Sequence, residues 1–314
     1  MSNNVKQRYA AFAATAPDLP LFCQPWYLDA LTKEFGDWDV LLYRKGNGPV
    51  RGAFPFFVKS KYGLTYSVPP PLCKYVGPWL LPEYRDEQAG LRFFAEQFPK
   101  MAASEIAFPV ETTDFLPFYW NGWRQTTRFT FYLTSDVWST FPDWVEKRTR
   151  NRLRAAAAKL TVVEGVELTE IYRLTCQVFA RQKLSVPYSF AHLQHLDRVL
   201  TEQGRCHGFG VKDADGRLVG ALYLIWDAHT AYVLLSGTDA TGRQLNGNYL
   251  LQTEAARYAF EVLQVERLDR LGSMLPGVAG IHRKLGAVAR PYHLLCRERH
   301  PLFRLRRAWE SFRL

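Results

Sequence analysis

The chain has no C-x-x-C pair, no Gly-x-Ser-x-Gly elbow and no P-loop lysine motif. These gaps remove the common zinc-ribbon, hydrolase and ATPase readings. Its longest apolar stretches, such as Ala221 to Trp226, fall far short of the roughly 20 residues that a helix needs to cross a bilayer. The five cysteines, Cys23, Cys73, Cys176, Cys206 and Cys296, are odd in number and widely spaced, so neither a disulfide framework nor a zinc site is expected, and a reducing cytoplasm fits. His192 and His195 lie three apart on a predicted helix with no third ligand at a recognisable spacing, so no metal is expected. Lys6 and Arg8 precede an Ala-rich stretch from Tyr9 to Ala16 that is short and lacks leucine, and it reads as ordinary helix rather than as a secretory signal.

What is present is a globular composition, 47% apolar, 22% charged and 15% aromatic over 314 residues, enough for two cores and unlike disordered, collagen-like or coiled-coil chains. The net charge of +10 is concentrated. Between Asp143 and Leu160, Lys147, Arg148, Arg150, Arg152, Arg154 and Lys159 face two acidic residues, a local +4. From Arg297 onward, Arg297, Arg299, Arg304, Arg306, Arg307 and Arg313 face Glu298 and Glu310, again +4. Such clusters point to anionic partners: cofactor phosphates, nucleic acid or a membrane surface.

Sliding the sequence along itself by 168 residues aligns Leu28, Asp29, Gly36, Gly48, Gly52 and Ala53 with Leu196, Asp197, Gly204, Gly216, Gly220 and Ala221. These six pairs within 26 positions already exceed the one or two identities expected by chance. The repeated unit reads helix, strand, hairpin turn, strand, strand, loop, helix, strand. An antiparallel meander followed by one helical crossover gives an α+β fold with two mixed, mostly antiparallel sheets flanked by helices. The expected domains are 1–140 and 141–296, the second opening with a basic helix from Pro142 to Leu160, with 297–314 as a basic amphipathic tail. The tail stripe, Leu302, Leu305, Trp309 and Phe312, would dock on the protein's own core, with peripheral membrane contact the alternative.

The loop Gly237 to Gly247 precedes a helix predicted to begin near Asn248. Gly247 allows close backbone approach, Arg243 adds charge, and the helix start presents unpaired N–H groups, so Arg243, Gln244, Asn246, Gly247 and Asn248 form a candidate phosphate cradle. Arg148 and Arg152, four apart on the basic helix, form either a solvated face or a rail for a phosphorylated acceptor or tRNA.

Six segments stand in a recognisable order: Phe22-Cys-Gln-Pro-Trp-Tyr-Leu28, Pro69-Pro-Pro-Leu-Cys-Lys-Tyr-Val-Gly-Pro78, Arg150-Asn-Arg-Leu-Arg-Ala155, Val186-Pro-Tyr-Ser-Phe190, Leu235-Ser-Gly-Thr-Asp239, and Gly272-Ser-Met-Leu-Pro-Gly277 leading to His282-Arg-Lys-Leu-Gly-Ala287. With these segments, the repeated unit resembles the acyltransferase fold called GNAT, in tandem, and in particular the bacterial tandem-GNAT family related to Fem-type peptidoglycan aminoacyltransferases. The resemblance implies two tandem GNAT-like domains and an acyltransferase that acts on amino groups, with acyl-CoA as donor and a small-molecule or cell-envelope precursor amine as acceptor. A Fem-type enzyme would use aminoacyl-tRNA instead, and a non-catalytic tandem-GNAT binding module is a third reading. Gln244-Leu-Asn-Gly247 matches the start of the family's donor loop, but Tyr249 stands where its last small residue belongs. Aligning Leu285-Gly286 with the Phe-Gly of the Fem-type Phe-Lys-x-x-Phe-Gly motif puts His282 at the lysine position beside Arg283. The resemblance thus implies His282 (when protonated) or Arg283 as the oxyanion cation and Tyr292 as leaving-group acid. It also implies Lys74 and Tyr75 along the acceptor channel.

Overall fold

The computed structural model describes residues 3–272 and 274–305. It divides into two compact units, the described parts of Met1–Arg128 with Pro291–Leu314, and Phe129–Arg290.

The first unit contains α1 (Asn3–Ala14), α2 (Pro25–Phe35), β1 (Asp37–Arg44), β2 (Val50–Lys61), β3 (Leu64–Ser67), β4 (Trp79–Leu80), α3 (Gln88–Gln97), β5 (Ala103–Ala107) and α4 (Leu116–Trp120). Strand β1 pairs antiparallel with β2, β2 antiparallel with β3, and β3 parallel with β5. Its core is strongly aromatic: Phe54, Phe56, Phe94, Phe98, Phe108, Phe118 and Trp123 are all buried in one cluster. Edge-on ring contacts, such as Phe108 to Phe118 at 5.0 Å, suit the opposed charges of ring face and ring edge.

The chain enters the second unit within β6 (Arg124–Thr134). There follow α5 (Ser135–Ser139), α6 (Lys147–Ala157), β7 (Thr161–Glu164), α7 (Leu168–Arg181), α8 (Phe190–Glu202), β8 (Cys206–Lys212), β9 (Leu218–Trp226) and β10 (Thr230–Thr238). Next come α9 (Ala240–Gln244), α10 (Gly247–Arg257), β11 (Arg267–Asp269), α11 (Pro276–Lys284) and β12 (Val288–Glu298), the last carrying the chain back into the first unit. Strands β8, β9 and β10 form an antiparallel meander, β10 pairs parallel with β11, and β7 pairs with β8. Leu251, Ala255 and Ala259, spaced by one helical turn, press α10 and its continuation onto Phe209, Val219 and Leu222.

The two units share one four-strand pairing pattern. Strands β1, β2, β3 and β5 have the pairing pattern of β8, β9, β10 and β11, two antiparallel steps and one parallel one. The 168-residue offset carries Val50, where β2 begins, onto Leu218, where β9 begins. Helix α8 starts where Ser189 Oγ accepts from the His192 backbone N–H at 3.2 Å and the Ser189 N–H reaches His192 Nδ1 at 3.3 Å, a reciprocal cap.

Three expectations change. The units meet at Phe129 rather than at 140, because β6 joins β11 through Arg267 to Asp269. The strand containing Tyr292 closes the first unit, not the second, since Leu294 to Glu298 pair with Ala103 to Ala107. The basic helix is shorter than Pro142 to Leu160, starting only at Lys147.

The tail differs as well. Arg297, the first residue of the expected basic tail, is buried, its guanidinium 4.5 Å from the Trp123 ring. Leu302 and Leu305 are exposed, and Phe303 packs on Tyr66 at 5.9 Å. Trp309, Phe312, Arg306, Arg307 and Arg313 lie outside the described residues.

Candidate functional site

Strands β10 and β11 pair over only three residues, Thr230 with Arg267, Ala231 with Leu268 and Tyr232 with Asp269. Beyond that point β10 shifts register between Val233 and Leu235 and runs on to Thr238, whereas Arg270 turns its N–H to the Phe131 carbonyl of β6 at 3.0 Å. The carboxyl ends of adjacent parallel strands thus go to different neighbours, and such an end is where α/β sheets hold ligands.

Helix α10 spans this divergence. Ser236 Oγ on β10 donates to Asn248 Oδ1 at 3.4 Å. One turn later on the same helix face, Gln252 Oε1 accepts from Arg270 Nη1, the residue after β11.

The residues of the predicted phosphate cradle lie between α9 and the start of α10. Asp239 Oδ1 accepts from Gly242 N at 2.8 Å and so caps α9. A Cβ on Gly242 would lie 2.2 Å from the Val219 carbonyl oxygen, so only glycine lets this turn rest on β9. Asn246 adopts the left-handed conformation and α10 begins at Gly247. Two guanidiniums converge on the Thr238 carbonyl, Arg243 at 3.5 Å and Arg181 from the end of α7 at 3.4 Å. Burial, with the Arg243 charge beside it, lowers the Arg181 pKa. The dipole of α10 and this pair of cations favour an anion. Arg181 has no counterpart among the residues expected from sequence, because α7 lies outside the motif that marks the loop.

Tyr249, the departure from the small-residue pattern, has a partner. Its hydroxyl accepts from Arg152 Nη1 at 2.9 Å, and the Arg152 guanidinium stands 5.7 Å from its ring. Arg148 is exposed, whereas Arg152 is half-buried against α10, so the two arginines are not equivalent. Arg148→Glu is expected to leave the denaturation midpoint unchanged, while Arg152→Glu lowers stability by about 1 kcal/mol through the lost hydrogen bond. Equal effects in urea titrations would disprove that distinction.

His282 and Arg283 lie at the end of α11. Gly286 N donates to the Arg283 carbonyl and Ala287 N to the His282 carbonyl, both at 3.0 Å, with Gly286 at φ 78°, a Schellman stop. The Leu285-Gly286-Ala287 segment is therefore a helix terminator that fixes both side chains. They flank Phe131: the His282 ring is 5.3 Å from it, and the exposed Arg283 guanidinium 5.4 Å. Burial, and then the Arg270 charge, push the His282 pKa down to about 3. His282 could serve as the oxyanion cation only when protonated, and this shift leaves its imidazole neutral at physiological pH.

Sequence reasoning passed over the buried polar group next to it. Arg270 and Asp269 are both buried, with the Asp269 carboxylate accepting from the Thr130 hydroxyl and, at 2.8 Å, from Leu271 N. The sequence carries little signal for it, because Glu266-Arg267-Leu268-Asp269-Arg270-Leu271 is mostly charged and does not mark which charges are buried, although charges are rarely buried without a role.

Lys74, Tyr75 and Tyr292 come together in the first unit. The rings of Tyr75 and Tyr292 meet edge to face at 5.2 Å, and Lys74 Nζ stands 5.2 Å from the Tyr292 ring. Val76 N donates to the Ala107 carbonyl at 3.0 Å, tying the proline-rich loop to β5. Among the described residues, no group of three or more His, Cys, Asp or Glu side chains is placed to hold a metal ion.

Residues 147–276 match the family described as Acetyltransferase (GNAT) domain. No curated protein matches the chain. Among solved structures, FemX has a TM-score of 0.67 at 15% identity, over 92% of this chain and 95% of that one. A tandem GNAT protein from the clavulanic acid biosynthesis pathway has a TM-score of 0.58 at 14% identity, over 96% of both chains. L-PGS from Bacillus licheniformis has a TM-score of 0.53 at 12% identity, over 92% of this chain and 90% of that one.

Proposed function

We propose, from the premise that this is a tandem-GNAT protein whose residues 147–276 form an acetyltransferase domain, that it transfers an acyl group from acyl-coenzyme A to an amine. The observation that carries this reading is the divergence of β10 from β11 with α10 laid across it, because that arrangement gives a thioester an anionic end and a reacting end. The donor diphosphate would sit at the first turn of α10, held by the backbone of Asn246, Gly247 and Asn248, with Arg243, Gln244 and Arg181 beside it.

The amine nitrogen attacks the thioester carbonyl carbon. The C–N bond forms, the C–S bond breaks, and the proton shed by the nitrogen passes through solvent to the departing thiolate, leaving an amide and a free thiol. The guanidinium of Arg283, beside Phe131, steadies the oxyanion.

Calorimetric titration with acetyl-CoA tests the donor site. Arg243→Ala is expected to weaken binding about tenfold, the loss of roughly one charge-assisted hydrogen bond. Wild-type protein that binds no acetyl-CoA would end this reading.

A second reading, aminoacyl-tRNA as donor with a cell-envelope precursor as acceptor, is favoured by α6, which exposes Lys147, Arg148 and Arg154. It requires tRNA affinity that falls steeply as salt rises from 50 to 200 mM, as phosphate contacts demand.

A further inference from the structure

Arg270 is only 4% exposed. Its side-chain hydrogen-bond partner is the neutral amide of Gln252, and its backbone N–H is taken by the Phe131 carbonyl. Neighbouring Asp269 turns its carboxylate to Thr130 and to Leu271 N. Among the described residues no carboxylate forms an ion pair with Arg270. Arg270 Nε and His282 Nδ1 are both buried without a hydrogen-bond partner.

A buried guanidinium with no counter-ion opposes folding, and an orphaned buried donor beside it adds to the penalty. Such an arrangement persists where a ligand supplies the missing charge. Burial without compensation also pulls the Arg270 pKa down to about 9, which leaves it cationic at neutral pH.

We propose that Arg270, assisted by His282, anchors a carboxylate of the amine acceptor, so that the acceptor is an amino acid or peptide rather than a polyamine or a neutral amino sugar. The substrate class follows from charge and position. On the acyltransferase reading, on which this inference rests, the donor's phosphates are placed at Arg243 and the start of α10, and the rest of the thioester arm is uncharged. The anion for Arg270, at the end of the other strand, then belongs to the acceptor. A carboxylate neutralises one guanidinium, whereas a phosphate dianion would leave a net buried charge. Neutral His282 adds a hydrogen-bonding group without a second positive charge.

The test uses the full-length chain and two product-like probes, N-acetylalanine and its uncharged counterpart N-acetylalaninamide, titrated calorimetrically. Wild-type protein is expected to bind the carboxylate at least about tenfold tighter, one charge-assisted contact. Arg270→Met should erase the difference and Arg270→Lys keep part of it. Met fills similar space without charge, and circular dichroism checks that the variant folds. Equal binding of the two probes by wild-type protein, or a preference that survives in a folded Arg270→Met, overturns the assignment, and the wild-type comparison decides even if the variant does not fold.

Turnover separates the two readings. Thiol release from acetyl-CoA with spermidine as readily as with alanine removes the carboxylate anchor but keeps the acyltransferase. Selective carboxylate binding without transfer from acetyl-CoA to any amine does the reverse.

Discussion

Lowering the pH from 6.5 to 4.5 is expected to cost the second unit about 2 kcal/mol of stability through His282 alone. In the folded protein this imidazole has a pKa of about 3, depressed first by burial and then by the Arg270 charge. In the unfolded chain it titrates near the ordinary value of about 6.5. Between those values the unfolded state binds a proton that the folded state refuses. The contribution is therefore complete above pH 6.5 and declines as pH falls toward 3, by about 1.4 kcal/mol for each pH unit. Guanidinium titrations of wild-type and His282→Gln protein at both pH values isolate the effect, because the carboxylates of both proteins respond alike. His282→Gln should show a shallower loss on acidification, and parallel losses would mean that the imidazole is not held neutral by the fold. The same shift bears on catalysis, since a group neutral throughout the physiological range cannot be the cation that meets an oxyanion, and Arg283 and Arg270 are the charges left beside Phe131.

The repeated unit was legible because it is written in local rules. A continuous apolar run marks β9, and an N-cap serine starts α8. The hairpin glycines show the limit of such reading. Gly216 has the expected positive φ, but in the first unit that geometry falls on Gly46, two residues before the aligned Gly48. The destination of β12 was not legible, because nothing in Val288 to Glu298 states whether its partner is the nearby β11 or the distant β5. Strand pairing is a long-range choice settled by packing, and Leu295 is buried with the aromatic core of the first unit. The candidate phosphate cradle was read from its glycines and arginine. The polar group at Arg270 was missed because a charged residue in a strand pattern normally faces water, and only the crossover of α10, which brings Gln252 over the strand end, makes it an interior group. Arg152 illustrates the converse: read as one of a pair of surface charges, it is occupied by Tyr249, so the residue that breaks the donor-loop pattern also draws a cation to the helix start.

Gly242→Ala is expected to destabilise the second unit by about 2–3 kcal/mol and to abolish measurable acetyl-CoA binding. The added carbon would stand 2.2 Å from the Val219 carbonyl oxygen and 3.0 Å from its carbon, both backbone atoms of β9 that cannot rotate away. Relief requires α9 to lift off the strand. That movement strains two contacts at once, the Asp239 N–H to the Val219 carbonyl at 3.0 Å and the Gly242 N–H to the Asp239 carboxylate at 2.8 Å. Both set the path of the loop into Asn246, whose left-handed backbone aims the first turn of α10, so an error at Gly242 is passed to every N–H group proposed to meet the diphosphate. Gly277→Ala is the matched control, because no atom lies within 4 Å of its added carbon. Urea midpoints and calorimetry on the two variants should separate completely, Gly277→Ala behaving as wild type in both. If Gly242→Ala loses stability but binds acetyl-CoA normally, the loop before α10 is structural and the donor's phosphates are held elsewhere.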